Sequence, residues 1–260
     1  MLAEWNAKRI NQYEQEFITL NVGLSKKYYN KTGDNYLKRI NKFLSEKGID
    51  VVLDHDDTEV IGQMFEVLQL IHLGILENKY PFAINNETKF FKEVAFFQID
   101  EDDVMFEIGA GSGMFGLMMK LMHPTVSLYL NELSYSNFEL IQELMDAHAK
   151  KISTENLFCV KGKKKSTELE TLKADKIIIR HTLHHFKKMD EMLNSIKLSM
   201  DADSNLYINE STTDLHAYEG DCQYKMSKKQ IVDLMEESGF VLVEMLDLGD
   251  NLLFNYKLKS

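Results

Sequence analysis

The chain has 260 residues and sets 30 Lys and Arg against 41 Asp and Glu, a formal net charge of -11, which disfavours a nucleic-acid partner because phosphate binding needs a strongly basic face. With 44% hydrophobic and 27% charged residues and no repeat or low-complexity tract, the composition is that of a globular protein with material for a sizeable core. Nowhere do about 18 apolar residues run together, no basic-then-apolar leader opens the sequence, and Cys159 and Cys222 lack metal-ligand spacing; a soluble, cytoplasmic chain with reduced thiols is expected, monomeric or homodimeric and without a membrane partner.

The first 75 residues read as helical. Trp5, Ile10, Tyr13, Phe17 and Leu20 mark one apolar face; Tyr36, Leu37, Ile40, Phe43 and Leu44 mark a second, closed by Gly48. Val60, Ile61, Met64, Phe65, Leu68 and Ile71 mark a third, entered through Asp57-Thr58 and closed by Gly74. Residues 75–97 are expected to connect this helical part to the C-terminal two thirds of the chain, through the aromatic segment Tyr80-Pro81-Phe82, a turn at Asn85-Asn86-Glu87-Thr88 and a helix carrying Phe90, Phe91, Val94, Ala95 and Phe97.

The pattern then changes. Val104-Met105-Phe106-Glu107-Ile108 is an apolar run that ends in three alternate glycines, Gly109, Gly111 and Gly113, and opens onto an amphipathic helix over 115–122. A buried strand turning through glycine into a helix brings bare backbone against an adenosine-bearing ligand. Further strands are expected over 126–130, 156–160, 176–179, 205–208, 240–248 and 252–258, the first four separated by helix-length stretches such as 135–149 and 190–200. Alternation of this kind predicts an α/β fold with a doubly wound, mostly parallel sheet of seven strands. Only Gly249-Asp250-Asn251 separates the last two strands, too short for a parallel crossover, so they are expected to form an antiparallel hairpin.

This order of elements, with the turn Glu107-Ile108-Gly109-Ala110-Gly111-Ser112-Gly113, resembles the class I S-adenosylmethionine-dependent methyltransferases over roughly residues 97–260. Three further segments carry the resemblance: Leu130-Asn131-Glu132-Leu133-Ser134 at the end of the second strand, the run from Ala174-Asp175 through Arg180-His181-Thr182-Leu183-His184-His185-Phe186 at the fourth, and the helix from Met226-Ser227 to Ser238-Gly239-Phe240 before the sixth. The resemblance implies two domains, a helical extension over 1–97 that caps the active site and a cofactor-binding domain over 98–260. It also implies S-adenosylmethionine as cofactor. Its contacts would come from Glu107, Gly109, Ala110, Gly111, Ser112 and Gly113 of the turn, Glu132 as ribose anchor with Leu133, Gly162 and Lys163 after the third strand, and Arg180 and His181 after the fourth. After the third strand many members carry Gly-Asp near the adenine, whereas here Val160-Lys161-Gly162-Lys163-Lys164-Lys165 offers lysines.

A sulfonium-borne methyl group is already electrophilic, so the protein's tasks are to position the acceptor and, for oxygen or nitrogen acceptors, to remove a proton. His181, His184 and His185 fall just beyond the fourth strand, on the carboxyl edge where open α/β sheets bind ligands. The segment Arg180 to His184 resembles that of plant-type O-methyltransferases whose histidine is the catalytic base, which assigns that role to His184, with His181 a second candidate; His185 stands where that family has an acid. Glu210, after the fifth strand, is a candidate for orienting a polar acceptor, and the polar segment 213–224 suits a substrate loop. No metal site is expected. The reading is methyl transfer to a small-molecule acceptor; the alternatives are a protein methyltransferase, a nucleic-acid methyltransferase, and a non-catalytic binding protein of the same fold, and the lysines at 161 and 163–165 are the best sign of a nucleic-acid or phosphorylated acceptor.

Overall fold

The computed structural model describes residues 76–77, 80–84, 89–111, 113–134, 153–214, 224–249 and 251–259. The helices expected over 4–74 and 135–149, Ser112 of the glycine turn, and most of the expected substrate loop lie outside the described residues. The chain divides into two compact units, Met1–Lys92 and Glu93–Ser260. The described part of the first includes a short antiparallel hairpin, β1 (Leu76–Glu77) and β2 (Tyr80–Ile84), paired Leu76 to Ile84 and Glu77 to Tyr80. Sequence reading treats this stretch as a connection. Its strand character comes from the aromatic and branched residues around Pro81, which a two-stranded ribbon tolerates because each strand is an edge.

Helix α1 (Lys89–Phe97) includes the division at Lys92, and its residues from Glu93 to Phe97 belong to the second unit and pack on the sheet of that unit. That sheet holds β3 (Val104–Ile108), β4 (Ser127–Glu132), β5 (Leu157–Lys161), β6 (Lys176–Arg180), β7 (Asn205–Glu210), β8 (Phe240–Asp247) and β9 (Leu252–Leu258). The strand order is β5-β4-β3-β6-β7-β9-β8. β3 pairs in parallel with both β4 and β6, so the chain reverses its winding direction at β3 and leaves a crevice beyond the carboxyl ends of these strands. β9 is antiparallel to both β7 and β8, and for the pair with β8 the short link over 248–251 leaves no room for a parallel crossover. β6 is buried at every position, and the run Lys176-Ile-Ile-Ile-Arg180 reads accordingly as a central parallel strand.

Alternation along the strands fixes two faces. On one, Phe106, Ile108, Ile177, Ile179, Leu206 and Ile208 pack beneath α3 (Met189–Leu198) and α4 (Lys228–Glu237), whose Met192, Leu193, Ile196, Ile231 and Met235 are buried. α4 begins in a capping box, with the Ser227 hydroxyl accepting from the Gln230 N–H and the Gln230 side chain accepting from the Ser227 N–H. On the other face the Glu93–Phe97 end of α1 and α2 (Met114–Met122) pack on the sheet, and Tyr207 meets Phe97 and Phe96 edge-on with ring centroids 5.2 and 5.9 Å apart. The Asp175 of the fourth-strand motif works at the opposite edge from the crevice: its Oδ2 accepts from the Val104 N–H at 2.7 Å and fixes the start of β3.

One buried ion pair anchors α1. Glu93 and Arg180, with side chains 2% and 6% exposed, meet with Glu93 Oε1 2.9 Å from Arg180 Nε, while a guanidinium Nη donates to Oε2 at 3.2 Å. Asn209 Nδ2 also donates to Glu93 Oε1, so one helical carboxylate ties together the ends of β6 and β7. Removing one partner of such a pair leaves the other charge buried and uncompensated. Glu93→Ala is expected to cost about 3–5 kcal/mol of unfolding free energy in urea titrations; a loss below about 1 kcal/mol would show the pair to be dispensable.

Candidate functional site

Three left-handed glycines build the turn after β3, with φ of 78° at Gly109, 57° at Gly111 and 75° at Gly113. For Gly109 the reason is steric as well as torsional, since an added Cβ would lie 2.2 Å from Thr182 Cγ2. Thr182 comes two residues after β6, and its hydroxyl hydrogen-bonds towards the carbonyls of Arg180 at 2.9 Å and Gly109 at 3.3 Å. At Gly111 an added Cβ meets nothing within 4 Å, and the open space beside it is the crevice itself.

A cavity of about 400 Å³ occupies the crevice. Six of the residues expected to hold a cofactor line it: Gly109, Gly111, Glu132, Leu133, Gly162 and Lys163. Glu132 stands at the end of β4 with both carboxylate oxygens oriented by backbone donors, Oε2 by the Gly111 N–H at 2.7 Å and Oε1 by the Ser134 N–H at 2.6 Å. Each oxygen keeps a further lone pair, so the carboxylate is preorganised to accept from two neighbouring hydroxyls. Gly162 is close-packed for a related reason: a Cβ there would lie 2.9 Å from Oδ1 of Asn131, whose amide is bonded to the Thr167 carbonyl at 2.6 Å.

The remaining expected contacts fall elsewhere. Ala110 and Gly113 are buried within the turn, and Ser112 is outside the described residues. Arg180 points beneath α1 to Glu93, and its guanidinium carbon lies 5.3 Å from the centre of the Phe115 ring. Glu107 is buried under α2, with Oε2 2.5 Å from where a Cβ on Gly116 would lie, which is why that helix carries glycine there. Burial pushes the Glu107 carboxyl up from 4.5 to about 8, against the pull of Arg180 and the Gly116 backbone. His181 has a left-handed backbone, φ 51°, and its N–H donates to the Asn209 carbonyl at 2.8 Å.

His184 and Glu210 come together on the sheet face of α3 and α4. Nδ1 of His184 lies 2.7 Å from Glu210 Oε2, with side chains 9% and 3% exposed, and Glu210 Oε1 is buried without a hydrogen-bond partner among the described residues. A carboxylate on Nδ1 fixes the tautomer and ring orientation and leaves Nε2 to take a proton. The His185 ring lies 4.0 Å from that of His184, and it is His185 that lines the cavity. Burial first, then the neighbouring His184, push the His185 imidazole below its ordinary value, partly opposed by Glu210. The cavity also takes Asn131, Thr182, Phe186, Lys187 and Met192, which sequence reading does not single out. Phe186 and Lys187 had a usable signal, since Phe186 closes the motif after β6 and Lys187 directly follows it.

No protein-family model matches the sequence, and no curated protein is significantly similar to it. Solved structures do match. A SAM-dependent methyltransferase from Aquifex aeolicus superposes with a TM-score of 0.59 at 14% identity, over 75% of this chain and 97% of that one. The glycopeptide N-methyltransferase MtfA, complexed with sinefungin, gives 0.54 at 10% identity over 65% and 85%, and the mitomycin 7-O-methyltransferase MmcR gives 0.53 at 16% over 79% and 58%. The fold is that of the class I S-adenosylmethionine-dependent methyltransferases.

The glycine turn yields a steric contrast. Gly109→Ala is expected to cost about 2–4 kcal/mol of stability, from clash and left-handed strain together, whereas Gly111→Ala incurs only the strain, about 1–2 kcal/mol, and puts its methyl into the cavity. Equal losses in thermal melts would contradict the steric distinction. Glu107 gives a pH signature: the native state holds more protons than the unfolded chain between 4.5 and about 8, so the stability it contributes is complete below 4.5 and is lost as pH rises through 8. In urea melts across this window Glu107→Gln should flatten the decline.

Proposed function

We propose that the chain is an enzyme that transfers a methyl group from S-adenosylmethionine to a small-molecule acceptor through an oxygen or nitrogen nucleophile. The observation that carries this reading is the Glu132 carboxylate, held by the Gly111 and Ser134 N–H groups at the wall of a cavity that begins at a left-handed glycine turn. The donor set fits the cofactor. Glu132 would accept from the ribose hydroxyls, Gly111 admits the ligand against bare main chain, and Leu133, 49% exposed, with Phe186 and Met192 gives apolar contact for a purine. When bound, S-adenosylmethionine supplies a methyl group made electrophilic by its sulfonium.

His184 would take the proton from the acceptor at Nε2. Glu210 would hold Nδ1 and stabilise the imidazolium, and its buried, unpartnered Oε1 offers an acceptor for a hydrogen-bond donor on the substrate. Thr182 keeps the β6 loop against Gly109, so the segment bearing both histidines is tied to the glycine turn. The small-molecule assignment is supported by two of the similar structures, a glycopeptide N-methyltransferase and a mitomycin 7-O-methyltransferase.

Calorimetric titration with S-adenosylmethionine, S-adenosylhomocysteine and NAD tests the cofactor. Both adenosyl ligands should bind; tight NAD binding with neither of them would sink the proposal. Glu132→Ala should weaken them about 10²- to 10⁴-fold, the loss of two hydrogen bonds to a charged group. Once an acceptor is found by screening, His184→Ala should lower kcat by about 10²–10⁴ with cofactor affinity preserved. A comparable loss in His185→Ala alone would move the base to the neighbouring ring.

A further inference from the structure

The lysines after β5 acquire a counterpart that chain order hides. Lys163 and Lys164 come from the turn after β5 and Lys187 from the loop after β6, strands that β4 and β3 hold apart in the sheet, and all three line the same cavity. The β5 turn is stiff. Lys163 and Ser166 close it with reciprocal main-chain hydrogen bonds of 2.8 and 3.4 Å. Buried Thr167 then donates its N–H to the Ser195 hydroxyl of α3 at 2.8 Å, and that hydroxyl donates to Glu170 at 2.5 Å. A second tie joins Lys165 to Glu191 of α3 at 3.4 Å. The β5 turn is thereby fastened to α3, and Lys187 directly precedes Lys188, the N-cap of the same helix, so the two basic loops form a single rim.

Charge along this rim is unevenly matched. Lys163 pairs with Glu168 at 2.8 Å and Lys165 with Glu191, whereas Lys164 and Lys187 have no acidic partner among the described residues. Glu132, the carboxylate in the lining, already has each oxygen bonded to a backbone N–H. Two ammonium groups without an acidic partner among the described residues, one on the stiff β5 turn and one just before α3, make a local field beside the cavity that attracts and orients an anion.

We propose that the mouth of the cavity is an anion subsite, in which Lys164 and Lys187, with Lys163 beside them, take a phosphate or carboxylate group of a ligand bound there. The proposal deepens the methyl-transfer reading, on which it rests for the cavity's main occupant. Two carriers share the chemistry: a methyl acceptor bearing an acidic group, and an adenosine ligand bearing a phosphate.

The test is calorimetric titration of the full chain with inorganic pyrophosphate at low salt, with and without saturating S-adenosylhomocysteine. The proteins are wild type, Lys164→Gln, Lys187→Gln, the double variant, and Lys229→Gln as a control on α4. Saturable binding is expected, about threefold weaker in each single variant and on the order of tenfold weaker in the double, unchanged in the control and weakened by salt. Binding that persists with S-adenosylhomocysteine assigns the anion to the acceptor; binding that it displaces assigns the anion to a ligand in the cofactor's place. No saturable binding by wild type, or full retention in the double variant, overturns the subsite. S-adenosylhomocysteine affinity is measured in the same series, so its absence would count against methyl transfer while the pyrophosphate result still decides the lysines.

Discussion

The arrangement of the crevice depends on where one guanidinium is buried. Arg180 stands at the end of β6 with Glu93 paired to it and Glu107 near enough to feel its charge. Two carboxylates and one cation cannot all be ionised cheaply in a dry interior. The division is settled by geometry: Glu93 takes two hydrogen bonds from Arg180 and one from Asn209, while Glu107 Oε2 has none and its carboxyl is pushed up to about 8. Near neutral pH this leaves Glu107 mostly protonated beneath the glycine turn. The carboxyl ends of β3, β6 and β7 are held by this one network, and the glycine turn and the histidine loop start from those ends.

Above that network the crevice is shaped by close approach more than by charge. Thr182 occupies the space that a Cβ on Gly109 would need, Asn131 that of Gly162, and Leu130 with Glu107 that of Gly116. Each contact pulls a loop or helix one methyl group nearer to its neighbour. The result is a cavity whose walls come from four strand ends, which is why a carboxylate on β4 can be oriented by an N–H of the turn after β3. Preorganisation of this kind lowers the entropy cost of binding, because the acceptor lone pairs face the cavity before any ligand arrives.

Much of this was legible in the sequence, and the parts that were not share a physical cause. Periodicity located all seven strands of the sheet and the final hairpin; burial on both faces demands apolar runs in the central strands, while the edge strands β5 and β8 are only partly buried. It ended β4 at Leu130 and β7 at Ile208, however, while the ladders continue through Glu132 and Glu210. Apolar residues stop where the sheet leaves the core, yet hydrogen bonding does not, and the site residues sit in that interval. Spacing alone also could not tell that Arg180 turns under α1, because its partner lies 87 residues earlier. The signal was present in Glu93 itself, an acid three and four residues before Phe96 and Phe97 on the same apolar helical face, where a charge is tolerated only with a buried partner.

The two sides of the sheet's carboxyl edge carry different chemistry for the same reason. Residues alternate across the sheet, so Asn209 faces α1 and joins the Glu93 network while its neighbour Glu210 faces the opposite layer and meets His184. A one-residue slip of β7 would either carry Glu210 into the place of Asn209, as a third carboxylate beside Glu93 and Glu107, or carry Asn209 into the place of Glu210 and leave His184 with an amide. The register is protected against that slip by Tyr207, which must lie under Phe96 and Phe97, and by Ile208 in the opposite core. The aromatic packing on one face thus determines which acid reaches the histidine on the other, and the core of this fold sets the chemistry available at its edge.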